Sequence, residues 1–155
     1  MTPQQKTLVQ ESFKKVAPIA PLAADLFYAR LFELDPELRL LFKSDMKRQG
    51  MTLMTMIGTA VRGLDNPDAL VPVLKNLGRR HMVYGVKDKH YGTVAQALLD
   101  TLQHAMGPEF DDEMRAAWTA VYSLMASVMQ MGAREVVETP AANDPAPLKM
   151  HQTLL

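Results

Sequence analysis

The sequence predicts an all-α fold, and three observations carry that expectation. Apolar residues recur at steps of three and four through most of the chain, the spacing that gives a helix one buried face. No stretch of any length alternates apolar and polar residues as a half-buried strand would. Proline and glycine fall between the periodic segments, where they start or stop helices, and no internal repeat is visible.

Thr2 before Pro3, with Gln5 placed to close a capping box, predicts a first helix over residues 3–16 with Leu8, Ser12/Phe13 and Val16 as its buried stripe. Pro18 and Pro21 end it and start a second helix, in which Leu22, Leu26, Ala29/Arg30 and Phe32 alternate with polar positions. Asp35-Pro36 cap a short third helix that carries Leu38 and Leu41 to Phe42. After the polar turn 43–48, a long helix over 49–64 sets Leu53, Met56/Ile57 and Ala60/Val61 on one face.

Asn66-Pro67 cap the approach to the next helix, where Leu70, Val73/Leu74, Leu77 and His81 fall in line. Gly85 supplies a backbone that turns with positive φ, and Lys87 and Asp88 separate this helix from one over 88–106. That helix carries Tyr91, Val94, Leu98 and Leu102, and Gly107-Pro108 closes it. Asp111 or Asp112 caps the last long helix, with Met114, Ala117/Trp118, Val121, Leu124/Met125 and Val128 facing inwards. From Thr139 the composition turns Pro- and Ala-rich, so the expected organisation is one domain over 1–138 and a flexible tail over 139–155.

A chain of 155 residues fits one domain that can bury a core and, if hollowed, enclose one cofactor. The formal net charge of zero leaves no compositional footprint for nucleic acid or an anionic membrane as partner. With no cysteine, disulfides, thiolate catalysis and cysteine-ligated clusters are excluded, whereas a histidine-ligated metal is not. No apolar run approaches the roughly 20 residues that span a bilayer. The N-terminus lacks an apolar secretory core, so a cytoplasmic protein is the default expectation. The 12 methionines suit irregular packing, as around a flat cofactor.

Leu74, Leu77 and His81 share one helical face, which sets a lone imidazole on an apolar stripe. Spacing alone leaves two readings open, a hydrogen-bonded core histidine, which is the commoner case, and a metal ligand. The run Leu77-Gly78-Arg79-Arg80-His81, followed by Gly85-Val86 and then Tyr91, resembles the proximal segment of globins. It is most similar to the neuroglobins and to the bacterial single-domain haemoglobins related to flavohaemoglobins. Ala116-Ala117-Trp118 with Tyr122 also resembles the final helix of bacterial globins, so the resemblance covers the chain up to the tail.

The resemblance implies a globin fold around haem b, with His81 as the proximal iron ligand and Phe42 stacked on the porphyrin. Gln49 takes the distal position, because the interval from Gln49 to His81 lines up with the family's without a gap. Leu53, one turn on, covers the bound gas. Tyr28 is the second distal donor. Ile57, Leu77, Val86, Tyr91 and Val94 are the further pocket residues, and Arg80, with Arg79 beside it, is placed to meet haem propionates. Without the resemblance, Tyr28 reads as a half-buried helical tyrosine, Phe42 as a core phenylalanine, Gln49 as a solvated cap and the arginines as a charged face. His90 and His104 read as surface or structural residues.

The implied function is reversible binding or transport of O2, with CO and NO as further ligands. Hydrogen bonds from Tyr28 and Gln49 would give high O2 affinity. The resemblance also implies NO dioxygenation for nitric oxide detoxification, with electrons from a separate reductase because the chain shows no reductase domain. A monomer or weak homo-oligomer is expected. The alternatives are a haem-based gas sensor or electron-transfer globin, and a helical interaction module that binds no haem. One departure stands out. Flavohaemoglobin-type globins join the proximal histidine to a tyrosine and a glutamate. Tyr91 fits the tyrosine, but the counterpart of the glutamate is Ala133, with Glu135 two residues away.

Overall fold

The computed structural model describes residues 1–43 and 45–138; the tail expected over 139–155 lies outside the described residues. Among the described residues there are six α-helices and no strand: α1 (Pro3–Val16), α2 (Ala20–Leu34), α3 (Met46–Gly63), α4 (Pro67–Val83), α5 (Asp88–Met106) and α6 (Asp112–Glu138). Short 3-10 segments at Ala17–Ile19, Pro36–Leu41 and Gly107–Glu109 link them. The apolar core joins all six, from Val9 of α1 through Phe27, Leu31, Val61, Leu74 and Leu98 to Trp118 and Val121 of α6.

Local chemistry sets the boundaries. Thr2 and Gln5 form the expected capping box, with Thr2 Oγ1 accepting from the Gln5 N–H at 3.0 Å and Gln5 Oε1 from the Thr2 N–H at 2.9 Å. Asp35 accepts from the Glu37 N–H at 3.2 Å, and Asp111 from the Met114 N–H at 2.9 Å. Asn66 makes no side-chain cap, so α4 starts on Pro67 alone. Gly85 turns the chain with φ 100° and Gly107 with φ 60°.

Three helix faces differ from expectation. On α2 the buried residues are Ala23, Ala24, Phe27, Tyr28 and Leu31, while Leu22 is 55 % exposed. The cause is packing against α3, where Gly50 meets Ala24 so closely that an added Cβ would stand 2.9 Å from the Ala24 methyl. Small residues at that crossing, rather than the large leucines, select the buried face. Leu124 of α6 and Val73 of α4 are likewise exposed beside the buried Met129 and Leu74.

The remaining contacts fix the frame. Trp118 donates its indole N–H to Ser12 Oγ at 2.9 Å, joining α6 to α1 within the core. Arg30 of α2 bonds Asp100 of α5 at 2.8 Å. Helix α4 packs against α6, with Gly78 on the backbone of Met129 and Gly132 on that of Lys75, so the two helices run antiparallel.

Candidate functional site

Helix α3 begins at Met46, capped by Asp45, three residues before the expected start. That extra turn carries Gln49 off the helix end and into the interior, where it is 0 % exposed. Gln49 is therefore not a solvated cap. It faces Tyr28 of α2 and hydrogen-bonds its phenol. Burial pushes the Tyr28 phenol well above the usual tyrosine range, and the Gln49 bond acts against that rise. A bond that favours the phenolate is one donated to its oxygen, so the Gln49 amide N–H is the donor. Tyr28 also contacts Phe42 edge-on at 5.3 Å and stacks on Phe32 at 5.9 Å. Phe42 is half-buried at the end of the Pro36–Leu41 turn.

Helix α4 places His81 one turn beyond Leu77, 1 % exposed. Nδ1 of His81 lies 2.7 Å from the Leu77 carbonyl oxygen, so Nδ1 carries the proton and donates. The other ring nitrogen, Nε2, is buried and has no hydrogen-bond partner. Burial lowers the His81 pKa to about 4; the Leu77 carbonyl opposes this and the Arg80 charge adds to it. The imidazole is thus neutral at physiological pH, with a lone pair on a buried nitrogen, which is the state a metal ligand needs.

Leu53, Ile57, Leu77 and Val94 line one apolar cavity of about 60 Å³, together with Phe27, Leu98 and Trp118. Val86 donates its N–H to the His81 carbonyl at 2.9 Å, which returns the chain from α4 towards α5 against the ligand helix. Tyr91 is buried next in line, its phenol pushed up to about 12 by burial, with the Asp88 carboxylate adding. The Tyr122 hydroxyl donates to the Tyr91 carbonyl at 2.8 Å and ties α6 to this segment. Arg80 is half-buried with its Nε unbonded in the interior, while Arg79 is exposed.

Glu135 lies elsewhere. It pairs with Lys75 at 2.8 Å, half-exposed between α6 and α4, and that cation first of all holds its carboxyl below the usual range. His90 is buried rather than on the surface and plays a structural part: its Nδ1 accepts from the Lys87 N–H at 2.9 Å and so caps α5. His104 is exposed. Sequence reasoning passed over Gly50 and Gly78, the two close approaches that seat Gln49 and His81. A glycine directly after Gln49, and one three residues before His81, were the visible signals.

A haem fits this donor set. It would take a buried, neutral imidazole nitrogen that nothing else satisfies, on a helix whose Leu77 lines an apolar cavity with Leu53, Ile57 and Val94. No group of three or more His, Cys, Asp or Glu side chains that could hold a bare metal ion occurs among the described residues.

Comparison with known proteins agrees. The globin family model matches residues 25–129. The neuroglobin of Danio rerio is 30% identical over 146 residues, which span 85% of this chain and 92% of that protein. A flavohemoprotein of Bordetella bronchiseptica is 26% identical over 147 residues; 93% of this chain is covered, but only 37% of the flavohemoprotein. Among solved structures, an engineered carbene transferase made from a candidate nitric oxide dioxygenase of Rhodothermus marinus superposes with a TM-score of 0.80 and 26% identity. The match covers 89% of this chain and 96% of that one. A hexacoordinated haem protein from an anhydrobiotic tardigrade shares the fold at a TM-score of 0.79 and 20% identity. The chain belongs to the globin family, whose members hold haem and bind gaseous ligands.

Proposed function

We propose that this globin binds O2, CO and NO reversibly at haem b, holds O2 tightly, and oxidises NO to nitrate when a reductase supplies electrons. The observation that carries the reading is the pairing of an unsatisfied proximal nitrogen, His81 Nε2, with a buried polar couple, Tyr28 and Gln49. Haem, when bound, supplies a ferrous iron with one coordination position open to a diatomic gas.

The chain's own residues then divide the work. His81 gives Nε2 to the iron, while its Nδ1–H on the Leu77 carbonyl fixes the ring's tautomer and rotation. Phe42, Leu53, Ile57, Leu77, Val86, Tyr91 and Val94 would give it dry walls, and Arg80 would be the cation for a propionate. Tyr28, kept protonated by burial, and the Gln49 amide point donors at the gas. A hydrogen bond to a charge-bearing acceptor is worth about 1.5–3 kcal/mol. Each donor therefore slows O2 release roughly ten- to hundredfold. Tight retention favours reaction over delivery: NO, O2 and one electron give nitrate, and that electron must come from a reductant in the cytoplasm.

The Bordetella relative, by its name a haem protein, supports the haem reading, and the Rhodothermus structure, titled after a candidate nitric oxide dioxygenase, supports the NO chemistry. The alternative, a gas sensor or electron-transfer globin, needs a second strong ligand or a ligand-driven surface change. His90, which caps α5, and the exposed His104 supply neither. The test is to mix the oxygenated protein with NO and measure nitrate. One nitrate per haem, with oxidation of the iron, is expected. No nitrate formed while NO remains would leave gas binding alone.

A further inference from the structure

Two caps face each other beside the site. At the start of α5, Lys87 and His90 bond reciprocally: the Lys87 N–H donates to His90 Nδ1 at 2.9 Å, and the His90 N–H donates to the Lys87 carbonyl at 2.9 Å. Opposite, Asp35 opens the Pro36–Leu41 turn, its Oδ1 accepting from the Glu37 N–H at 3.2 Å. The other carboxylate oxygen, Oδ2, lies 3.9 Å from His90 Nε2. The two segments approach again at their other ends, where a Cβ at Gly85 would stand 3.3 Å from the Leu41 side chain. The turn runs on into Phe42, and the facing stretch lies between Val86 and Tyr91.

These bonds fix where the protons sit. A ring nitrogen that accepts from Lys87 carries no proton, so neutral His90 holds its one proton on Nε2, which faces Asp35 beyond hydrogen-bond reach. A second proton would go on Nδ1, opposite the Lys87 N–H. Two donors cannot share that bond, so the cap is lost. The same proton charges the ring and draws Nε2–H towards the Asp35 carboxylate. Protonation thus exchanges a bond at the start of α5 for one to the facing turn.

The surroundings decide when this happens and how far it spreads. His90 is 8 % exposed, and burial first of all lowers its pKa; Asp35 opposes this, Lys89 and Lys87 add to it, and Glu37 opposes it. The positive end of the α5 dipole also disfavours a cation there. The ring is therefore neutral at neutral pH and takes its second proton on the acid side of 6.5. The Val86 N–H on the His81 carbonyl holds one end of the stretch, and the Tyr122 hydroxyl on the Tyr91 carbonyl holds the other. The His90 cap is what closes the chain between those anchors.

We propose that His90 is an acid-operated latch beside the site: neutral, it closes the first turn of α5 on Lys87; protonated, it releases that turn and pairs with Asp35. The stretch between Val86 and Tyr91 is then stiff at neutral pH and loose in acid. The latch is made of this chain's own bonds and works with or without haem.

The test follows single groups by NMR in the full-length protein, in the ferrous CO form, or without haem should it bind none, both of which are diamagnetic. The His90 ring and the exchange protection of the Lys87 amide are read from about pH 7.5 to about pH 5. Lys87 protection, corrected for the intrinsic rate, is expected to fall about tenfold with the midpoint of the His90 titration. The Met114 amide, capped by Asp111 on α6, reports global opening and should keep its protection. His90→Asn sets an amide oxygen where Nδ1 stood and does not titrate, so Lys87 protection should there be flat. Asp35→Asn still caps the turn but removes the facing charge, so His90 should titrate at lower pH. Lys87 protection that ignores pH, or that falls as far in His90→Asn, overturns the proposal. So does a loss shared with Met114, which would be global acid unfolding, and so does a His90 midpoint unmoved in Asp35→Asn.

Discussion

Gly78 lies so close to Met129 that a Cβ at residue 78 would fall on the Met129 carbonyl group. Helix α4 can sit against α6, and present His81 at the site, only because that side chain is absent. Gly78→Ala gains about 1 kcal/mol of helix propensity but forces two backbones apart. A net loss of about 2 kcal/mol or more in urea unfolding is expected, with weaker haem retention. Unchanged stability would mean that the helices are not in contact there.

Tyr28→Phe and Gln49→Leu each remove one of the two donors of the polar couple. Each variant is expected to speed O2 dissociation by about tenfold or more, measured by CO displacement in a stopped flow. Unchanged release in both would refute their distal role.

The His81 pKa, about 4 when folded against 6.5 as the ordinary value, links acid to stability in the haem-free protein. Between those values the unfolded chain takes up a proton that the folded one refuses, so stability falls as pH drops from 6.5 to 4 and levels below. The loss is about 3 kcal/mol. His90, also lowered by burial, adds in the same direction. Urea midpoints across this range should therefore fall with pH, and less steeply in His81→Leu. An equal slope in that variant would contradict the burial assigned to His81.

Glu135 is held by Lys75 at 2.8 Å. Glu135→Gln should therefore leave the iron–histidine stretching band of the ferrous protein in place and change stability little, as solvent-screened surface pairs do. A shifted band would mean that Glu135 reaches the proximal ligand.

Ser12 Oγ takes the indole N–H of Trp118 in the core. Ser12→Ala strands that donor and should cost about 1–3 kcal/mol, with a change in tryptophan emission. A smaller loss than in an exposed serine variant such as Ser123→Ala would exclude the bond.

Much of the fold was legible because its signals are local. The Thr2–Gln5 capping box, the prolines at helix starts and the glycines at 85 and 107 act within a few residues, and the boundaries of α1 and α5 follow from them. The face of α2 was not legible, since Ala23 and Ala24 are chosen by a partner, Gly50, that lies far along the chain. The depth of Gln49 depended on the same crossing and on a cap at Asp45 that the polar turn concealed. At the site, the Leu77–His81 spacing placed the imidazole on an apolar face, but only the three-dimensional structure shows Nδ1 used and Nε2 unsatisfied.

The most direct measurement is the visible spectrum of the purified, haem-reconstituted protein in its ferric, ferrous and CO forms, beside that of His81→Ala. A strong Soret band that shifts with CO, and that is lost in His81→Ala or restored there by imidazole, is the predicted result. A protein that forms no Soret band, or one whose bands are the same with and without the His81 side chain, would contradict the assignment of His81 as the ligand that holds the haem.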